Sequence, residues 1–167
     1  LAAIGDACGI DINRVSAAQN AFLPAIRAAL DANPIKGTIT LSGYEGSELL
    51  VARLLIESGA NVPYVGTACP KTPWSAPDLE WLQAKGVTVK FRASLQDDCA
   101  AMEAIQPDLA VGTTPLVQKA KELGIPALYF TNLISARPLM GPAGAGSLGQ
   151  VVNAAIAGRA RMNSMKT

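Results

Sequence analysis

The fold of this chain is decided by PDLAVGTTP at residues 107–115 and LGIPALYF at residues 123–130. The pattern predicts a short buried strand, a polar turn, a helix that starts near Thr114 and stops at Gly124, and a second strand. Together these elements form one βαβ unit. In parallel sheets built from such units, ligands bind outside the carboxyl ends of the strands.

The same alternation extends on both sides of this unit. Strands are predicted at residues 38–41, 62–65, 87–91, 109–111 and 127–130, with helices at 47–58, 75–85, 94–105 and 114–124. Strands that alternate with helices of this length predict an α/β fold, a Rossmann-like doubly wound parallel sheet of four or five strands with flanking helices. The patterns Ser75-x-x-Asp78 and Ser94-x-x-Asp97 predict capping boxes at two helix starts.

The two ends of the chain are less regular than its centre. Residues 1–33 are predicted as an N-terminal segment that links to upstream domains, with a helix over 14–30 that Pro24 kinks or divides. Residues 34–167 are predicted as the α/β domain, closed by a glycine-rich loop and a helix over 147–162. The start at Leu1 and the end within a predicted helix suggest a piece of a longer protein.

Composition excludes several classes of function. The chain has 167 residues, of which 50% are apolar and 16% charged, with a net charge of +1, so no basic surface for nucleic acid is expected. No apolar run is long enough for a membrane span, and no secretory leader pattern is present. The three cysteines lack a C-x-x-C spacing and favour a reducing cytoplasm. The absence of histidine removes the commonest general base.

The turns that follow the predicted strands share one edge of the sheet and supply the candidate site. The candidate substrate-binding residues are Gly43, Tyr44, Gly46, Thr113, Thr114, Thr131 and Asn132. Free N–H groups at helix starts favour an anion or a carbonyl, but Glu45 in the first turn would repel a phosphate. Glu45 is instead a candidate catalytic proton donor. For each turn, ordinary capping is the alternative explanation.

A glycine-rich motif, two of the cysteines and Arg137 can each be explained in more than one way. GAGSLG at residues 144–149 matches the dinucleotide pattern G-x-G-x-x-G, but it lacks a strand directly before it and an acidic residue after it, so a flexible approach to the last helix is expected. Cys99 is expected to pack in the core, whereas Cys69 lies at the functional edge. Arg137, in an apolar segment, suggests a subunit contact, a pocket cover or packing on its own domain.

Several of these motifs resemble a known family. The 107–112 strand, the GIP at 124–126 and the glycine-rich approach to the last helix resemble the last Rossmann-like domain of nitrogenase component 1 type proteins. GYEGSELLVAR at 43–53, GTACPKTPW at 66–74 and YFTNLISARPLMG at 129–141 are similar to the branch of this family that reduces chlorophyllide a. The resemblance runs from about Ile4 to the end of the chain and covers the C-terminal part of such a subunit.

The resemblance implies a function for the whole complex. The C7=C8 double bond of ring B of chlorophyllide a would be reduced in bacteriochlorophyll biosynthesis by a heterotetramer of this subunit with a related one. A separate ATP-dependent iron–sulfur reductase would deliver electrons through a [4Fe–4S] cluster. The cluster's cysteines belong to the N-terminal domain of the family, and none of Cys8, Cys69 or Cys99 matches that motif. The resemblance therefore implies no metal site here, no activity for the piece alone, and a first βα turn that faces the substrate.

Alternatives from other classes stay open at this point. One is a free-standing α/β module that binds a small molecule. The other is an NAD-type dinucleotide-binding domain that uses residues 144–149.

Overall fold

A sheet of five parallel strands forms the centre of the computed structural model, which describes residues 2–135 and 141–164. The strands are β1 (Thr38–Gly43), β2 (Asn61–Thr67), β3 (Thr88–Phe91), β4 (Leu109–Gly112) and β5 (Ala127–Tyr129). Their order across the sheet is β3-β2-β1-β4-β5, and every neighbouring pair is parallel. The predicted Rossmann-like fold class is confirmed.

Helices cover both faces of this sheet. In the described residues they are α1 (Ala2–Ala7), α2 (Ile12–Asp31), α3 (Glu48–Glu57), α4 (Ala76–Ala84), α5 (Leu95–Ile105), α6 (Thr114–Glu122), α7 (Phe130–Ser135) and α8 (Gly141–Ser164). Leu55 of α3 and Leu82 of α4 belong to one buried apolar cluster. Met102 of α5 and Leu116 of α6 belong to a second cluster. The pairs α3/α4 and α5/α6 therefore occupy different layers.

The central strand β1 has different chemistry on its two sides. Ile39 and Leu41 are fully buried in the cluster that contains α3 and α4. Successive side chains of a strand point to opposite faces, so Thr40 and Ser42 point toward the layer of α5. Both are buried, and the Thr40 hydroxyl has no hydrogen-bond partner. The α5 side of β1 is thus a polar surface inside the protein.

The carboxylate of Asp108 holds the amino end of β1. Its Oδ2 accepts a hydrogen bond of 2.8 Å from the backbone N–H of Thr38, seventy positions earlier in the chain. The backbone N–H of Asp108 donates in return to the carbonyl of Thr38 at 2.8 Å. This reciprocal pair sets the register at which β4 begins beside β1.

One of the predicted capping boxes forms and the other does not. Ser94 and Asp97 exchange hydrogen bonds at the start of α5, with the N–H of Asp97 donating to Ser94 Oγ at 3.2 Å. Ser75 instead closes a 3₁₀ turn (Pro73–Ser75) through Thr72, and its side chain does not cap α4. Proline suits the first position of a helix, so the 3₁₀ turn begins at Pro73, two residues before the predicted helix start at Ser75.

The helices at the two ends of the chain differ from the prediction. Helix α2 is not divided at Pro24, which lies inside the helix and is exposed. Residues 144–149 lie inside α8 and are not a loop. A Cβ at Gly149 would approach the Cβ and carbonyl oxygen of Asn33 to 2.8 Å, so this glycine permits close packing of α8 on the end of α2. Arg137 lies outside the described residues.

Candidate functional site

A cavity of about 360 Å³ lies at the carboxyl ends of β4 and β5, beside the turn that follows β1. Its lining residues are Tyr44, Gly112, Thr113, Thr114, Tyr129, Thr131 and Asn132. Five of these were predicted as substrate-binding residues from the sequence. Gly43 and Gly46 do not line the cavity. Gly43 is the last residue of β1, directly before Tyr44, and Gly46 lies two residues after Tyr44 in the turn.

The cavity's polar groups come from the starts of two helices. Thr113 is the N-cap residue of α6, but its side chain makes no capping hydrogen bond. Thr131 and Asn132 are exposed and belong to the first turn of α7, whereas the sequence predicted a turn between strand and loop there. Phe130, the first residue of α7, follows β5 directly and is only 2% exposed. The side chain of Phe130 therefore anchors the two residues that follow it.

Tyr129 is a lining residue that the sequence analysis missed. It is the last residue of β5 and pairs in register with Gly112 of β4. Tyr44, which is 58% exposed, lines the same cavity. An aromatic residue at the last position of an edge strand was the available signal.

Glu45 lies beside this cavity and is exposed. Its Oε1 accepts a hydrogen bond of 3.4 Å from the Thr131 hydroxyl. This contact joins the β1–α3 turn to α7 across the open side of the cavity. The geometry places a carboxyl group at the rim, although it does not line the wall.

The most deeply buried acidic group near the turn is Glu48, which the sequence analysis also missed. Its side chain has no solvent exposure. One carboxylate oxygen accepts from the backbone N–H of Glu45 at 2.7 Å, and the other accepts from the N–H of Gly46 at 3.0 Å and the hydroxyl of Thr67 at 3.0 Å. A Cβ at Gly43 would overlap this carboxylate, so glycine is needed there.

The next turn along the sheet is connected to the same network. The Cys69 N–H donates to Thr67 Oγ1 at 3.2 Å, and its Sγ lies 3.5 Å from the carbonyl oxygen of Tyr44. The Ala68 N–H donates to the carbonyl of Gly43 at 2.9 Å. The turns after β1 and β2 are therefore held to each other by hydrogen bonds.

A second buried carboxylate, Asp98, lies under the α5 side of the sheet. Its Oδ1 accepts from the Tyr64 hydroxyl at 2.8 Å, and it also hydrogen-bonds to Ser42. Burial raises the pKa of Asp98 more than these hydrogen bonds lower it. Burial, with the nearby Asp98 charge, also raises the pKa of Tyr64. A Cβ at Gly66 would overlap the Asp98 carboxylate.

The neighbouring residue, Asp97, behaves in the opposite way. The ammonium group of Lys90 lies 2.7 Å from its carboxylate and, together with the Ser94 cap, lowers the pKa of Asp97 to about 2. The pKa values of two adjacent carboxyl groups on α5 are thus shifted in opposite directions. Asp97 is paired with a cation, whereas Asp98 is buried.

A larger groove, of about 530 Å³, lies between α2 and α3 and contains none of the predicted site residues. It is lined by Leu23, Ile26, Arg27, Leu30, Asp31, Leu50, Arg53, Leu54 and Glu57. Leu23 and Leu50 are each about half exposed. Arg53 pairs with Glu57 at 3.2 Å and Asp78 at 3.1 Å on its rim.

Metal-binding groups do not come together in the part of the chain that the structure describes. No three of its His, Cys, Asp and Glu residues are arranged so that they could hold a metal ion. Cys8, Cys69 and Cys99 are all free. Cys99 packs against the cluster around Met102, as predicted, and burial raises the pKa of its thiol. No helix within the described ranges has the length and apolar character to cross a membrane.

Comparison with protein families and curated proteins gives consistent results. The model of the family described as nitrogenase component 1 type oxidoreductase matches residues 1–157. A protein of Cereibacter sphaeroides named "Chlorophyllide reductase 52.5 kDa chain" is 76% identical over 99% of this chain. A protein of the same name from Rhodobacter capsulatus is 74% identical over 99% of it. This chain spans 33% of the length of each of these curated relatives.

Solved structures give the same fold. A structure described as "Nitrogenase Cp1 at pH 6.5" superposes with a TM-score of 0.66 at 20% identity, covering 95% of this chain and 36% of that one. A second, "Nitrogenase Cp1 at pH 5", gives a TM-score of 0.58 at 15% identity, covering 83% and 34%. At these identities the likeness extends to the fold alone.

Proposed function

We propose, starting from the fact that this chain belongs to the nitrogenase component 1 type oxidoreductase family, that it is the C-terminal part of the Y subunit of a chlorophyllide a reductase. In that role it helps to bind chlorophyllide a while the C7=C8 double bond of ring B is reduced in bacteriochlorophyll biosynthesis. The observation that carries the proposal is the 76% identity, over 99% of the chain, with a chlorophyllide reductase chain.

The cavity at the carboxyl ends of the strands suits one edge of a tetrapyrrole. A large planar pigment needs flat apolar surfaces and a few polar groups that fix its orientation. Tyr44 and Tyr129 supply ring surfaces, while Thr113 and Asn132 supply donors for peripheral carbonyl groups. Thr131 lines the same cavity, and its hydroxyl donates to Glu45. A cavity of about 360 Å³ holds part of such a pigment, so we infer that other parts of the enzyme enclose the rest.

Glu45 is our candidate proton donor. Reduction of the C7=C8 bond adds two electrons and two protons, and Glu45 is a carboxyl group at the cavity rim within 3.4 Å of Thr131. Replacing Glu45 by Gln in the full complex is expected to lower kcat by roughly 100-fold or more, the usual size for a general acid, with little change in KM. Turnover equal to that of the unmodified complex would rule Glu45 out.

The rest of the reaction needs partners outside this chain. We propose a heterotetramer with subunit Z, and electron delivery by the ATP-dependent iron–sulfur reductase, subunit X. The described residues do not fit an iron–sulfur cluster, because no group of ligands comes together there. The ligands of the [4Fe–4S] cluster are therefore assigned to the remaining two thirds of the subunit.

Three further points belong to this proposal. Residues 1–33 are taken as the link to upstream domains, and residues 34–167 as the α/β domain. The chain alone is expected to have no reductase activity, because the cluster ligands are assigned elsewhere. The free thiols of Cys8, Cys69 and Cys99 favour a reducing cytoplasm.

The first experiment is a binding titration of chlorophyllide a, followed by absorbance shift and fluorescence quenching. Three samples are compared: this chain alone, this chain with purified subunit Z, and full-length subunit Y with Z. We expect binding by the full-length pair and by the chain with Z. Binding by the full-length pair alone would assign the pigment to the other domains. No binding in any sample would contradict the proposed function.

No observation favours the rival functions. Residues 144–149 lie within α8, so their N–H groups are used inside a helix and do not form a phosphate-binding turn. A titration with NADH is expected to give no binding. The free-standing module is disfavoured because the chain spans a third of its relatives.

A further inference from the structure

Glu48 is a fully buried carboxylate that accepts hydrogen bonds from the turn after β1, which lies beside the cavity, and from the last residue of β2. Burying a carboxylate is costly unless hydrogen bonds replace its water. The ion pairs of the described residues include none with Glu48. Its charge is instead compensated by the N–H groups of Glu45 and Gly46 and by the Thr67 hydroxyl.

Those partners divide into two sides. The N–H groups belong to the turn that carries Tyr44, and they fix its conformation around Gly46, whose φ of +83° is suited to glycine. The hydroxyl belongs to Thr67, at the end of β2, and ties the carboxylate to the sheet. Glu48 is the first residue of α3, so its two bonds to the N–H groups fasten the turn to the start of that helix, with or without the Thr67 bond.

The anchored turn presents its side chains outward to the cavity. Tyr44 is 58% exposed and lines the wall, and Glu45 reaches Thr131 at the rim. Neither residue is held by burial of its own side chain, because both are exposed. Their position depends on the backbone of the turn, and that backbone is bonded to Glu48.

We propose that Glu48 is a positioning residue for the pigment cavity, which acts through the backbone of residues 44–46 to hold Tyr44 in place for the substrate. This inference rests on the proposed function. Tyr44 would contact the substrate, whereas the Glu48 carboxylate is fully buried and would act only through the turn.

The two sides of the network can be broken separately. In Glu48→Gln the amide nitrogen replaces one acceptor oxygen, so it faces the Gly46 N–H without bonding, although it can still donate to Thr67. In Thr67→Val the bond from β2 to the Glu48 carboxylate is lost, together with the bond from the Cys69 N–H to Thr67 Oγ1, while both bonds from Glu48 to its own turn remain. Glu57→Gln, on the exposed part of the same helix, is the matched control.

The variants are made in the full-length Y–Z complex, and the Kd for chlorophyllide a, KM, kcat and Tm are measured. Glu48→Gln is expected to weaken binding and raise KM by about tenfold or more, as for loss of one charge-assisted hydrogen bond. Thr67→Val is expected to lower Tm while the Kd stays within about twofold. Glu57→Gln should change neither the Kd for chlorophyllide a nor the Tm. An unchanged Kd in Glu48→Gln overturns the inference, as does a Kd that follows Tm across all variants.

Tyr44→Ala provides a second route that does not depend on the folding of the Glu48 variant. Tyr44 is exposed, so its removal should leave Tm unchanged and weaken binding of chlorophyllide a by about tenfold. An unchanged Kd in Tyr44→Ala also overturns the inference. Where both single variants fold, the double variant should bind no more weakly than the weaker single variant, because both changes act through one contact.

The unmodified complex distinguishes failure of the proposed function from failure of the positioning role of Glu48. If it binds no chlorophyllide a, the proposed function fails and the positioning role falls with it. If it binds the pigment while Glu48→Gln and Tyr44→Ala bind equally well, the positioning role alone fails.

Discussion

Glu48 and Asp98 are both buried carboxylates that pack against a strand glycine, but they hold different parts of the molecule. Glu48 lies against Gly43 and bonds the N–H groups of its own turn. Asp98 lies against Gly66 and bonds the hydroxyls of Tyr64 and Ser42, which belong to two strands.

The difference lies in what each carboxylate connects. Glu48 fixes a turn that faces solvent, so replacing it should change the Kd for the ligand more than the free energy of unfolding. Asp98 fastens helix α5 to β1 and β2, so replacing it should mainly lower the free energy of unfolding. Similar chemistry at two helix starts thus serves the site in one case and the scaffold in the other.

The largest expected effect on stability is that of Asp98→Ala. The substitution leaves the Tyr64 hydroxyl buried without its acceptor and opens a void, which together should lower the free energy of unfolding by about 3 kcal/mol. Urea denaturation of the chain measures it. Glu103→Ala, on the exposed side of α5, is the control and should change stability by less than about 1 kcal/mol. A loss of stability as small as that of Glu103→Ala would show that Asp98 does not stabilise the fold in this way.

A smaller effect is expected from Gly66→Ala. Its new Cβ would overlap the Asp98 carboxylate and should reduce stability by about 2 kcal/mol, as overpacking does. The same change in an Asp98→Ala background should be milder, because the overlapping atoms are gone. Gly43→Ala should be relieved by Glu48→Ala and not by Asp98→Ala. Equal relief by either carboxylate variant would show that the two networks are not separate.

The smallest effect concerns pH. The pKa of Asp98 is raised by burial, so between the ordinary value and the raised one the folded protein binds more protons than the unfolded chain. Its contribution to stability therefore increases as pH falls through the raised pKa and is lost as pH rises. The free energy of unfolding is measured from pH 7 to pH 4 for the unmodified chain and for Asp98→Asn. Relative to Asp98→Asn, the unmodified chain should become more stable as the pH falls. A constant difference would contradict it.

The sequence was sufficient for the fold because its signals are local and repeat. Each strand is a short apolar run followed by a turn, and the glycine after α6 and the Ser94–Asp97 box mark boundaries that the structure confirms. The prediction failed where two signals competed. Ser75 has the spacing of a capping box, but Pro73 and Thr72 use it for a 3₁₀ turn.

The site was partly predictable for a topological reason. Parallel strands bring their following turns to one edge, and so the sequence alone could place Tyr44, Thr113 and Thr131 at that edge, where the structure has a cavity. The buried carboxylates were not predictable in the same way. An acidic residue in the first turn of a helix usually faces solvent and interacts with the helix dipole. Only the distance to Thr67 or Tyr64 distinguishes Glu48 and Asp98 from that common case.

The strand order has a consequence for how the chain is made. β1 lies at the centre of the sheet, and its bond partner Asp108 follows Thr38 by seventy residues. During synthesis from the amino end, β1 can pair with β2 early, whereas its other edge must wait until β4 has been made. Until then a strand with Ile39 and Leu41 at its centre has unpaired backbone groups on one side. Slow translation between residues 91 and 109 would therefore prolong the interval in which the nascent chain is most prone to aggregate.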